Sequence, residues 1–173
     1  MPETECYVIR RAFVVPLGLV ILLMGALLVV SLMHGQPAAK IAFLLVFALP
    51  VTVLFIESVS RRLVVDAAGV TAMRLFRSRR IDFANVTALE TVQVRSRVFL
   101  TLAAGDDDFL IISNGYAGFP ALLHRLIAAL PASVVTDETR RLATAPPKRY
   151  ADLIMIWFML VALAYVLIAQ FRA

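Results

Sequence analysis

Four closely spaced arginines, Arg74, Arg77, Arg79 and Arg80, are the side chains of this 173-residue chain best suited to chemistry. A guanidinium presents a planar fork of donors that matches two phosphate oxygens at once. Alternation puts Arg74 off the Leu75 face, and Arg77-Ser78-Arg79-Arg80 reads as the polar tip of a hairpin. Such a tip could hold anionic lipid headgroups or meet a partner. The same residues also fit a solvated turn on the positively charged side of a membrane protein. The other candidates carry less. Asp106-Asp107-Asp108 lacks the ligand spacing and distal Glu of a calcium loop and reads as a charged turn. His34 and His124 lie in separate segments, and with Cys6 as the single cysteine they cannot complete a zinc set. Cys6 excludes an intramolecular disulfide and fits a reducing compartment. Lipidation is open to it geometrically, though an inert thiol is the simpler reading. No G-x-S-x-G, H-E-x-x-H, C-x-x-C or phosphate-loop pattern occurs. The expectation is a protein that is not an enzyme and has no metal or cofactor.

These residues must be positioned by elements that are mostly apolar. Hydrophobic residues make up 61% of the chain, against roughly 45–50% in a soluble domain. Ala12–Met33, Ile41–Ile56 and Leu153–Phe171 hold no charge, and Lys40 and Glu57 flank the second stretch. About 20 apolar helical residues cross a bilayer, so the expectation is three spans, the second reaching to residue 59. The first stretch is too long for the apolar core of a signal peptide, and no small-x-small cleavage pattern follows it. Arg61, Arg62, Lys148, Arg149, Tyr150 and Trp157 are the expected juxtamembrane anchors. Gly18 with Gly25, and Ala162 with Ala169, recur every seven residues and are candidate helix-packing positions. Arginine and lysine flank the spans on one side, which puts the N-terminus and residues 61–149 in the cytoplasm and the C-terminus outside. That bias accounts for the net charge of +5 without nucleic acid.

Between the second and third stretches the pattern changes to short strands. Residues 61–66 and 70–76 flank a turn in which Gly69 is free to take positive φ. Residues 77–80 read as a second turn, 80–83 as a third strand and 86–94 as a fourth. Residues 97–104 and 108–113 flank Gly105-Asp106-Asp107, a strong hairpin signal. Pro120 suits a helix start, and Leu122, Leu123, Leu126, Ile127 and Leu130 form one apolar stripe opposite His124 and Arg125. Residues 132–149 read as a polar linker with one helical turn at most.

The order LVVDAAGVTAMRLFRSRRIDFANVTAL, then AAGDDDF, then FPALLHRLIAAL, resembles the bacterial PH-like domains of small inner-membrane proteins. Asp66 with Gly69 matches that family's D-x-x-G turn, and Ile81, Phe83 and Val86 match its I-x-aromatic-x-x-I/V element. The resemblance covers about half the chain, residues 61–131. It implies a membrane-anchored α+β PH-like barrel of antiparallel strands, capped by one C-terminal helix and without catalytic residues. The expected work is non-enzymatic interaction in the bacterial cytoplasmic membrane: scaffolding a membrane complex, self-association or contact with membrane lipids. The rival reading is a small subunit of an oligomeric transporter or channel. No polar stripe along a span supports it, and the spans carry no ionisable group of the kind such a protein ordinarily shows.

Overall fold

The computed structural model describes residues 4–105, 108–144 and 151–172. The chain divides into two compact units, one of Met1–Arg10 with Ser60–Arg149 and one of Arg11–Val59 with Tyr150–Ala173.

The first unit is built on alternation. In β2 (Arg62–Val65) Leu63 and Val65 are buried while Arg62 is exposed, the period-2 pattern of a strand with one face on a core. It pairs antiparallel with β3 (Gly69–Arg74), which pairs with β4 (Arg77–Asp82). The other edge of this sheet is β1 (Glu5–Val8), taken from the chain ahead of the apolar helices and paired Val8 to Arg62. A second sheet is formed by β5 (Ala88–Val94), β6 (Arg97–Ala104) and β7 (Asp108–Ser113), in that order. The inward residues Val70, Ile81, Leu89, Leu100, Leu102 and Ile112 share one core with Phe119, Leu122, Leu123 and Leu126 of α3 (Phe119–Ala129). Pro120 stands in the first turn of α3, and the expected apolar stripe is its buried face.

Residues 77–80 are strand, and the turn they were expected to make is Leu75-Phe76. The reason is that β4 is a sheet edge with five of its six side chains exposed; solvated arginines suit an edge strand as well as a turn. Gly69 does not have positive φ. A Cβ there would lie 2.4 Å from the Ile81 carbonyl oxygen, so glycine is required for close approach of β3 to β4. Residues 132–144 are not a linker. Val134–Thr136 lie along β5, with the Leu89 N–H donating to the Val134 carbonyl and the Thr136 N–H to the Leu89 carbonyl. The helix α4 (Asp137–Thr144) buries Thr139 and Leu142. The expected single barrel with one capping helix is therefore replaced by two antiparallel sheets with two helices, and its first strand precedes the apolar segments.

The second unit contains α1 (Arg11–Met33), α2 (Ala38–Ser60) and α5 (Ala151–Arg172). The first two are each 23 residues, about 35 Å at 1.5 Å per residue, and are long and apolar enough to cross a membrane. No residue of the most apolar window of α2 is buried, so it is not a core helix of this chain. The expected third span is not supported. Among the described residues the apolar part of α5 runs Leu153–Ala169 and falls in the shorter class, so two helices rather than three are candidate spans. The placement of the C-terminus outside depended on that span and falls with it.

Candidate functional site

The four arginines of the sequence motif have two different fates. Arg80 donates to Asp66 Oδ2 at 2.6 Å and to Asp82 Oδ1 at 2.8 Å. Asp66 accepts from the Ala68 and Gly69 N–H groups as well, both at 2.8 Å, closing the turn between β2 and β3. The Arg80 bond, followed by that from Ala68, holds the Asp66 carboxyl down to about 2, and the two aspartates raise the pKa of Arg80 in turn. Arg79 donates through Nε to Asp108 at 2.9 Å and lies over the Phe109 ring, 5.4 Å from its centroid. These two guanidiniums join strands to one another. Arg74 and Arg77 differ from them. They pair directly across the turn, both are exposed, and neither has an acidic partner among the described residues.

Strand register shows what Arg74 and Arg77 share an end with. Val8, Arg62, Met73 and Ser78 stand side by side across the four strands. Beyond Val8 the chain runs into α1, and ahead of Arg62 it returns from α2. The Arg74-Leu75-Phe76-Arg77 turn is thus at the end of the sheet where the chain departs for the apolar helices and comes back. The second sheet adds to the same end. Ile9 bridges Tyr116, the Arg10 N–H donates to the Gly115 carbonyl, and the Asn114 side chain donates to the Ser96 carbonyl in the Arg95-Ser96-Arg97 turn. Tyr116 is buried among them. Burial raises its pKa, and the positive charges of Arg61 and Arg74 act against that rise. Arg10, Arg61, Arg62, Arg74, Arg77, Arg95 and Arg97 therefore gather at one end of the strands, while Asp66, Asp82 and Asp108 lie at the other.

The remaining expected residues are scattered. Lys148, Arg149 and Tyr150 lie outside the described residues, and Trp157 is exposed on α5. Gly18 does pack closely, since a Cβ there would meet the Phe55 ring at 3.2 Å. Gly25 faces open space, and Ala162 and Ala169 are exposed. Arg95 and Arg97 escaped the sequence reading, as did the apolar tip Leu75-Phe76. The available signal was arginine on both sides of a very short turn, which occurs twice. Among the described residues no cluster of three His, Cys, Asp or Glu could hold a metal. The open groove between β5 and α4 is lined by Thr91, Val92, Gln93, Glu138, Arg141 and Leu142, and the Thr91 hydroxyl is bonded to that of Thr139.

What the fold defines is a class: an α+β protein of two antiparallel sheets, with two helices apolar and long enough to cross a membrane. No family model, curated protein or solved structure matches the chain.

Proposed function

We propose that this is a non-enzymatic, membrane-anchored interaction protein of PH-like kind, whose sheet unit works at the headgroup surface of anionic lipid and helps hold a membrane complex together. One observation carries the reading: seven arginines collect at the strand ends from which the chain enters and leaves its apolar helices. A cation close to an anionic leaflet contributes about 1 kcal/mol, so this end is attracted to the surface and the aspartate-bearing end is not. Two features support the placement of the sheet unit on one side. Because β1 and β2 pair, the chain before α1 and after α2 must be on the same side, as two crossings require. The basic residues flanking the helices make that side the cytoplasm of a bacterial inner membrane, since the turn between α1 and α2 is flanked by Lys40 alone.

Spin labels test the reading. The full chain with Cys6→Ser and a single label at Ser96→Cys or at Ala67→Cys is placed in nanodiscs of phosphatidylcholine with phosphatidylglycerol. A paramagnetic ion chelated to a lipid headgroup should relax the Ser96 label strongly and the Ala67 label weakly. Equal relaxation, or the reverse order, would reject a headgroup-facing arginine end.

A further inference from the structure

The turn between β3 and β4 has a feature that electrostatics does not explain. Phe76 is 92% exposed, Leu75 44% and Met73 41%. A two-residue turn between arginines could be served by Asn-Gly, the usual solution for a tight hairpin. Here it carries the most exposed aromatic side chain of the sheet unit. A phenylalanine held in water on a turn is unfavourable unless something apolar receives it.

We propose that Leu75-Phe76 is a wedge that enters the acyl region of the membrane, while Arg74 and Arg77 remain at the headgroups. This deepens the reading given above and rests on it, naming the partner as lipid and the contact as insertion. Three observations choose a bilayer over a protein partner. Register places the tip at the strand ends leading to α1 and α2, two to three strand spacings from the departing Val8, or about 10–14 Å. The turn runs two residues past Met73, a reach of about 7 Å, comparable with the headgroup layer on one side of a bilayer. The charge order is also that of an interfacial segment, with arginine, two apolar residues, then arginine; guanidiniums bind phosphate as the apolar pair passes between them. The neighbouring turn supplies further cations without a wedge. Arg95 takes φ 54, a conformation that glycine or asparagine adopts more readily, so the cation stands there at some backbone cost.

The experiment uses the full chain in nanodiscs, with Trp157→Phe removing the single native tryptophan and Phe76→Trp placing a reporter in the tip. Leu75→Trp, which keeps Phe76, is a second reporter. The lipid is phosphatidylcholine with phosphatidylglycerol, and in parallel discs a share of the lipid carries bromine high on the acyl chain. Insertion predicts blue-shifted emission and at least twofold quenching by the bromolipid for both reporters, persisting in 1 M salt. Emission at the wavelength of a water-exposed indole, unquenched by bromolipid, would overturn the wedge. So would quenching abolished by salt, which marks surface attraction without insertion. The Ser96 label would still be relaxed by headgroup-bound ions in either of those cases, so failure of the wedge is separable from failure of the lipid-facing reading.

Discussion

At the scale of the residue, the β2–β3 connection shows how one carboxylate and one glycine set a register. Asp66 takes two backbone N–H groups and the Arg80 fork, so the turn is tied to the edge strand β4. Its folded pKa of about 2 lies below the ordinary value of 3.8. A depressed carboxyl stabilises the fold above its unfolded pKa, and the contribution is lost as pH falls through the folded one. The wild type should therefore lose stability between about pH 4 and pH 2. Asp66→Asn keeps an oxygen for Ala68 and Gly69 but loses the ion pair, so its acid limb should be shallower over that window in thermal melts. Gly69→Ala should be harmful at every pH. The new methyl meets backbone at 2.4 and 2.9 Å, which has no side-chain freedom to yield. Overpacking of this sort costs about 1–3 kcal/mol, readable by urea denaturation of the detergent-solubilised chain.

At the scale of the element, α3 is held by one face. Leu122, Leu123 and Leu126 are fully buried, while Arg125 is partly exposed and pairs with Glu5 at 2.9 Å. Leu126→Asp buries a carboxylate among leucines and should destabilise the sheet unit by roughly 3 kcal/mol or more. Arg125→Ala removes a surface ion pair and should change stability by less than about 1 kcal/mol. The contrast is the measurement; comparable losses for the two variants would mean that α3 does not close the core. Burial also explains Tyr7, whose hydroxyl bonds Glu5. Desolvation first, and that bond second, push its pKa up to about 12; its place in the core cluster and the pairing with β2 show that β1 is not a dangling tail.

At the scale of the whole chain, the position of β1 makes the sheet unit discontinuous. Because β1 and β2 are antiparallel neighbours, α1 and α2 together occupy the place of a hairpin loop. Replacing residues 11–59 with a short Asn-Gly turn should yield a soluble, cooperatively folding sheet unit. A fragment beginning at Ser60 should instead expose the edge of β2 and aggregate, because an unpaired strand edge recruits other strands. Light scattering and a thermal melt distinguish the two. The proposed orientation makes its own demand. In intact cells an impermeant maleimide should spare Cys6, which is exposed on β1, and should label His34→Cys in a Cys6→Ser background. The opposite pattern would reverse the topology.

Local pattern alone determined much of this protein: the two long apolar helices, strands β6 and β7 at their observed bounds, and the buried stripe of α3. Each is set by residues a few positions apart, where hydropathy and periodicity act directly. Tertiary structure decided the rest. It separated Arg79 and Arg80, bound to aspartates 29 and 14 residues away, from Arg74 and Arg77, which sequence spacing had grouped with them. It recruited β1 across both apolar helices and turned an apparent linker into α4, packed on a threonine network in which Thr139 meets Thr91 at 2.6 Å, 48 residues distant. Pairings over such separations depend on which strand edges and charges meet once the chain has collapsed. Composition and spacing hold no record of that meeting, so the arginine end of the sheets could be seen only after the strands were in register.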